Sequence, residues 1–212
     1  MADLAHDLAA LMCSKLCHDL ISPIGALGNG IEVLADESDA SLREDALELI
    51  GASARAAAAK LQFARLAFGT AGGVGGTLDL AMAARAAADY FATTKARLHW
   101  EPEQSSAPKD LVRLCLNLLL VGLDCIPRGG RVSASLSLQG ENGFAFTVQA
   151  AGQAARLPDP IKSAVEGSIA LDELDARLVQ PYFTGHLARM LEGRISMLPQ
   201  DGEVVLKATS AA

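Results

Sequence analysis

At 212 residues the chain is long enough to bury a substantial core in one or two domains. Half of it is hydrophobic, yet no run approaches the roughly 18 uninterrupted apolar residues of a membrane span, so no membrane partner is expected. Its 25 acidic against 18 basic residues, a formal net charge of −7, exclude the clustered positive charge that nucleic-acid binding rests on.

An aromatic content of 4% is also too low for a base-stacking platform. The opening MADLAHDLAALM carries two aspartates and no basic cluster, unlike a signal peptide. Cys13, Cys17, Cys115 and Cys125 lie in apolar segments without CxxC pairs, which predicts buried, reduced thiols and a cytoplasmic location.

Along the chain, Leu16, Leu20, Leu27, Ile31 and Leu34 recur at multiples of three and four and predict one stripe of a first helix. That helix ends near ADESDA, and Ser41 with Glu44 fits a capping box opening a second. Leu47, Ile50, Ala54, Ala57, Leu61, Ala64 and Phe68 then alternate steps of three and four, the seam of a bundle. The glycine-rich stretch at 71–76 reads as a linker, dividing a helical hairpin at 1–70 from a second domain at 77–212.

Beyond the linker, LDLAMAARAAADYFATT is helical in character, ARLHWEP is a short strand, and PKDLVRLCLNLLLVGLD is an apolar, buried helix. RVSASLSLQ and FAFTVQA flank Asn142-Gly143, a strong hairpin signal because a type I′ turn needs positive φ at both central residues. A helical LVQPYFTGHLARMLEG precedes a second hairpin, RISMLP and EVVLKATS, joined around Asp201-Gly202. This order predicts an α+β sandwich with helices on one face of a mixed sheet.

The segment KLCHDLISPIGALGNGIEVL is the least ordinary part of the first helix. It holds one proline and three glycines, although an interior Gly costs about 1 kcal/mol and an interior Pro about 3 relative to Ala. On a helical wheel His18 falls opposite the leucine stripe, with Ser14, Ser22, Gly25 and Asn29 within about 40° of it. These residues predict a small, polar, exposed face that another protein could approach closely, while Pro23 frees a carbonyl. A zinc site of Cys13, Cys17 and His18 would be strained, since the cysteines lie on another face. GALGNG is not a phosphate loop, for it has neither a preceding strand nor a lysine.

His18-Asp19-Leu20-Ile21-Ser22-Pro23-Ile24 resembles the H box of sensor histidine kinases, a phospho-accepting His followed by an acid, with Pro five residues on. The second domain resembles their GHKL-type ATPase domain, with departures. NLLLVG carries Val121 where kinases place the Asn that holds Mg²⁺; Ala150 and Ala154 of AAGQA replace the adenine-reading acid and a glycine; QPYFTGHLARML lacks phosphate-cradling glycines. A valine cannot ligate Mg²⁺ and an alanine cannot accept the adenine amino hydrogen.

Over nearly its whole length the chain thus resembles the ChpT family of histidine phosphotransferases, of the alphaproteobacterial cell-cycle phosphorelay. The resemblance implies a dimeric four-helix bundle followed by a degenerate, Bergerat-type ATPase-like sandwich that binds no ATP. It also implies that a phosphoryl group reaches His18 from the receiver domain of a CckA-like hybrid histidine kinase and leaves for CtrA-like and CpdR-like response regulators. No cofactor is then needed, the Mg²⁺ belonging to the partner receiver. Asp19 would hydrogen-bond one imidazole nitrogen, Lys15 would neutralise phosphoryl charge, and Ser22 takes the position where such kinases orient a hydrolytic water. Ser14, Gly25 and Asn29 would form the docking face. Two readings compete, an ATP-dependent histidine kinase and a dimerisation module without catalysis.

Overall fold

The computed structural model describes residues 2–36, 39–69, 76–140 and 143–210, with residues 2–5 by backbone alone. Two long antiparallel helices come first: α1 (Ala2–Asp36) and α2 (Ala40–Ala67). The start of α2 corrects the expected capping box. The cap is Asp39, whose carboxylate accepts from the amides of Ser41 at 2.8 Å and Leu42 at 3.4 Å. A carboxylate at the cap also meets the positive end of the helix dipole, and Ser41 is displaced into the first turn.

Leu16, Leu20, Leu27 and Leu34 of α1 are half-buried, but Ile31 is 55% exposed. The expected seam of α2 divides in the same way. Ile50 and Ala57 are half-buried and Ala64 is buried, whereas Leu47 and Leu61 are each 59% exposed. Two helices can cover only one flank of each stripe, so the other flank is left open.

The linker expected at 71–76 lies outside the described residues except for Gly76, whose carbonyl accepts from the Lys109 amide at 3.0 Å. After it come β1 (Thr77–Asp79), α3 (Leu80–Phe91), β2 (Ala96–Trp100), β3 (Ser106–Pro108) and α4 (Lys109–Asp124). The hairpin β4 (Gly130–Gln139) and β5 (Gly143–Ala151) leads to α5 (Asp159–Glu166) and α6 (Val179–Met190), and the chain closes with β6 (Gly193–Gln200) and β7 (Glu203–Ser210). The main sheet has the order β2-β4-β5-β7-β6, parallel between β2 and β4 and antiparallel elsewhere, while β1 and β3 pair as a small separate ribbon.

In β5, Phe144, Phe146, Val148 and Ala150 point to the buried face and alternate with more open residues, as a sheet covered on one side requires. The helices expected on that face are there, and α4 is buried almost all round. The first hairpin differs in its turn. Asn142 lies outside the described residues, but Gly143 already pairs with Gln139 as a strand residue, and the positive φ falls on Gly140 (59°). In the second hairpin Gln200 pairs with Glu203 across Asp201-Gly202, with Gly202 at φ 75°.

The core is continuous from hairpin to sheet. Phe63, Leu66 and Ala67 at the end of α2 share one apolar cluster with α3, α4 and the strands. A buried polar relay reinforces the join: the Asn117 side-chain amide donates to the carbonyls of Ala67 (2.8 Å) and Arg113 (2.9 Å). Because the Ala67 carbonyl is buried, removing the donor would leave a costly unsatisfied group.

Candidate functional site

The face predicted around His18 exists. His18 has 85% of its side chain exposed, and Ser14, Ser22, Gly25 and Asn29 are all exposed on the same helix. A Cβ added at Gly25 or Gly28 would meet nothing within 4 Å, so these glycines keep the surface open and serve no contact inside the chain. Gly30 differs, being buried. Its Cβ would sit 2.7 Å from Ile50 Cγ1 and 3.3 Å from the Ala46 carbonyl oxygen, so here the missing side chain lets α1 and α2 close on one another.

Two expectations about the neighbours are corrected. Asp19 does not hydrogen-bond His18: Oδ1 lies 3.7 Å from Nδ1, beyond hydrogen-bond range, because the carboxylate is drawn to Lys15, whose Nζ donates to Oδ2 at 2.8 Å. Lys15 is correspondingly a partly buried, paired residue, with 20% of its side chain exposed, and not a free cation beside the imidazole. The second correction concerns the cysteines. Cys115 and Cys125 are buried, and burial raises both thiols, Cys125 to about 12. Cys13 and Cys17 are exposed, since they fall off the stripe by which α1 meets α2.

The α/β part reaches this segment of α1. Tyr90 of α3 stacks on Phe63 with ring centroids 4.5 Å apart, and its hydroxyl is raised well above the ordinary phenol range by burial, then by the charges of Asp19 and Asp124. Asp124, the last residue of α4, is raised to about 6, first by desolvation of its carboxylate against the neighbouring elements, with Lys15 and Arg177 pulling it down and Asp19 pushing it up. One side of Asp124 stays open to solvent. It borders an open groove of about 680 Å³ with Lys95, Ile126, Pro158, Asp175 and Arg177.

Val121 and Ala150 stand where the kinase resemblance places polar contacts to nucleotide and Mg²⁺. Val121 and Ala150 have no exposed surface, and neither lines that groove. Over α4 lies α6, whose Gln180 Nε2 donates to Asn117 Oδ1 and the Asn117 carbonyl at 3.0 Å each and to Thr184 Oγ1 at 2.9 Å. Gly185 of α6 touches the Val165 carbonyl of α5, where a Cβ would collide, so this glycine serves helix packing. Among the described residues no group of three His, Cys, Asp or Glu could hold a metal ion, and no helix is long and apolar enough to cross a membrane.

Comparison with known proteins bears on both halves. Residues 80–203 match the family described as the histidine phosphotransferase C-terminal domain. Over 205 residues, 96% of each chain, the sequence is 42% identical to protein phosphotransferase ChpT of Brucella abortus (strain 2308). The chain belongs to the ChpT family of protein phosphotransferases. A solved bacterial phosphotransferase superposes with a TM-score of 0.87 at 40% identity, covering 96% of both chains. Full-length ShkA, solved in complex with AMPPNP, aligns at a TM-score of 0.50 and 16% identity over 99% of this chain and 45% of its own, a likeness of fold alone. The family's phosphotransferase role is thereby this chain's own, and the hairpin followed by an α/β sandwich is the fold expected from sequence.

Sequence reasoning missed Lys60, Tyr90 and Asp124. Lys60 and Tyr90 line a small space beside Asp19, and Lys60 Nζ donates to the Asp19 carbonyl oxygen at 3.0 Å. Pro23 was the available signal, because the carbonyl it frees is that of Asp19, four residues earlier.

Proposed function

We propose that the chain is a phosphorelay intermediate in which His18 accepts a phosphoryl group from the receiver aspartate of a hybrid histidine kinase and passes it to the receivers of response regulators. The observation that carries this reading is the 85% exposed imidazole on a face kept open by Gly25 and Gly28. In this reading an imidazole nitrogen of His18 attacks: its lone pair forms the N–P bond, the O–P bond of the acyl phosphate breaks, and the aspartate leaves as carboxylate. The return step reverses these changes. A neutral imidazole is a competent nucleophile near neutral pH, and phosphoryl transfer asks mainly for alignment and charge neutralisation. The Mg²⁺ belongs to the receiver. Resemblance to the ChpT phosphorelay names a CckA-like donor and CtrA-like and CpdR-like acceptors.

The domain division at 70/77 is part of this reading, as is a second domain that binds no ATP; the burial of Val121 and Ala150 supports the latter. The exposed flanks of α1 and α2 favour a homodimer closed as a four-helix bundle. Four free thiols favour a reducing, cytoplasmic setting, and the charge of −7 favours protein partners over nucleic acid. Ser14, Gly25 and Asn29 form the docking face, with Lys15, Asp19 and Ser22 around the imidazole. The reading is tested by a three-component assay. Phosphoryl label should move from a phosphorylated donor receiver through this chain to a second receiver, and Mg²⁺-ATP alone should leave the chain unlabelled. Labelling by ATP alone would establish the kinase reading instead.

A further inference from the structure

Pro23 stands inside α1 and has no amide hydrogen for the carbonyl four residues earlier, which belongs to Asp19. A side chain from the other helix takes that place: Lys60 Nζ donates to the Asp19 carbonyl oxygen at 3.0 Å. Lys60 lines a small space together with Leu16, Leu20, Leu61, Phe63 and Tyr90, and the residue is half-buried. The Asp19 carboxylate is meanwhile held by Lys15 at 2.8 Å. Asp19 is thus fixed at main chain and side chain alike, one peptide unit from a histidine whose ring stands largely in solvent.

We propose that Lys60 is a positioning residue for phosphoryl transfer at His18, holding the backbone that presents the imidazole by donating to the carbonyl Pro23 leaves open. The inference rests on His18 as the phospho-acceptor. Without the donor, a partly buried carbonyl loses its partner, and a helix interrupted at proline bends or admits water at that point. The imidazole then moves relative to a docked phosphoryl donor, and a misplacement of about 1 Å can slow a reaction on the order of 100-fold.

The test is a double-mutant cycle read by single-turnover transfer from a phosphorylated receiver domain, with thermal unfolding in parallel and His18→Ala as control. Lys60→Met keeps the apolar stem and removes the donor, and should slow transfer by roughly tenfold. Lys60→Arg retains a donor and should recover most of the rate. In a Pro23→Ala background residue 23 regains an amide for the Asp19 carbonyl, so Lys60→Met should there change the rate by less than about twofold. Wild-type transfer by Lys60→Met, an equal loss in both backgrounds, no recovery with Arg, or a loss explained by unfolding at the assay temperature overturns the positioning role while His18→Ala stays unlabelled. A His18→Ala protein that still accepts label overturns the underlying reading instead.

Discussion

At the scale of single residues, the proposed site is an exposed imidazole set beside an aspartate whose polar groups are taken by two lysines. Asp19 serves Lys15 through its carboxylate and Lys60 through its carbonyl, so His18 is oriented by the backbone more than by a direct hydrogen bond. The surface beneath it can be tested apart from its chemistry. Gly25→Leu adds a bulky group where the chain itself offers no contact, so folding should be unaffected, transfer from a receiver should slow, and labelling by phosphoramidate should continue. Equal loss with both donors would mean that the imidazole itself was disturbed; no loss with either would place docking elsewhere. The exposure of His18, Ser14, Ser22 and Asn29 was legible because a helical wheel fixes which residues share a face. The Lys15–Asp19 pair was less so, since the wheel shows that residues four apart are neighbours but not which of two neighbours a carboxylate prefers.

At the scale of elements, α1 and α4 each carry residues whose helix propensity or charge is wrong for the position they occupy. In α1 the glycines divide by environment. Gly28→Ala should stabilise the fold by about 0.5–1 kcal/mol, the usual gain at an open helix site, whereas Gly30→Val should cost about 1–3 kcal/mol because Ile50 and the Ala46 carbonyl occupy the space. Denaturant unfolding of the two variants would show opposite shifts, and shifts of the same sign would contradict this packing. In α4, Asp124 ends the helix as an acid near the negative pole of the dipole, with a folded-state value of about 6 against about 3.9 when unfolded. Between these values the folded state binds more protons, so stability falls as pH rises through this window and the penalty persists above it. Asp124→Asn should therefore melt higher than the parent at pH 7.5, with the advantage vanishing below about pH 4. A constant difference across that range would show that the charge is not responsible. The elements themselves were largely legible, since α1, α2, α4 and both hairpins announce themselves by apolar period. The ribbon of β1 and β3, three residues each, and the short α5 were not, because segments that short complete too few periods to register. The cap at Asp39 was hidden by a rival Ser41 two residues on.

At the scale of the molecule, a hairpin with uncovered apolar flanks is joined through a continuous core to an α/β layer in which Val121 and Ala150 are fully packed. Leu47 and Leu61 at 59% exposure and Ile24 and Ile31 at 55% are ordinary singly, and the proposed homodimer is what would cover them. Light scattering at micromolar concentration should return about twice the 22.0 kDa chain mass, and a monomer would remove the four-helix bundle from the account. The Asn117, Gln180 and Thr184 relay was not legible, because it joins residues up to 63 positions apart and arises only when α6 lies on α4. The loss of Val121 and Ala150 as polar contacts could be read in advance from side-chain chemistry alone, but their complete burial could not. The account turns on one atom accepting phosphate, and site mapping of the labelled chain tests it most directly. After incubation with a phosphorylated receiver domain, wild-type protein should carry acid-labile phosphate on His18 and His18→Ala should carry none, with unchanged melting. Label on His6, His99 or His186 in the His18→Ala protein would contradict it.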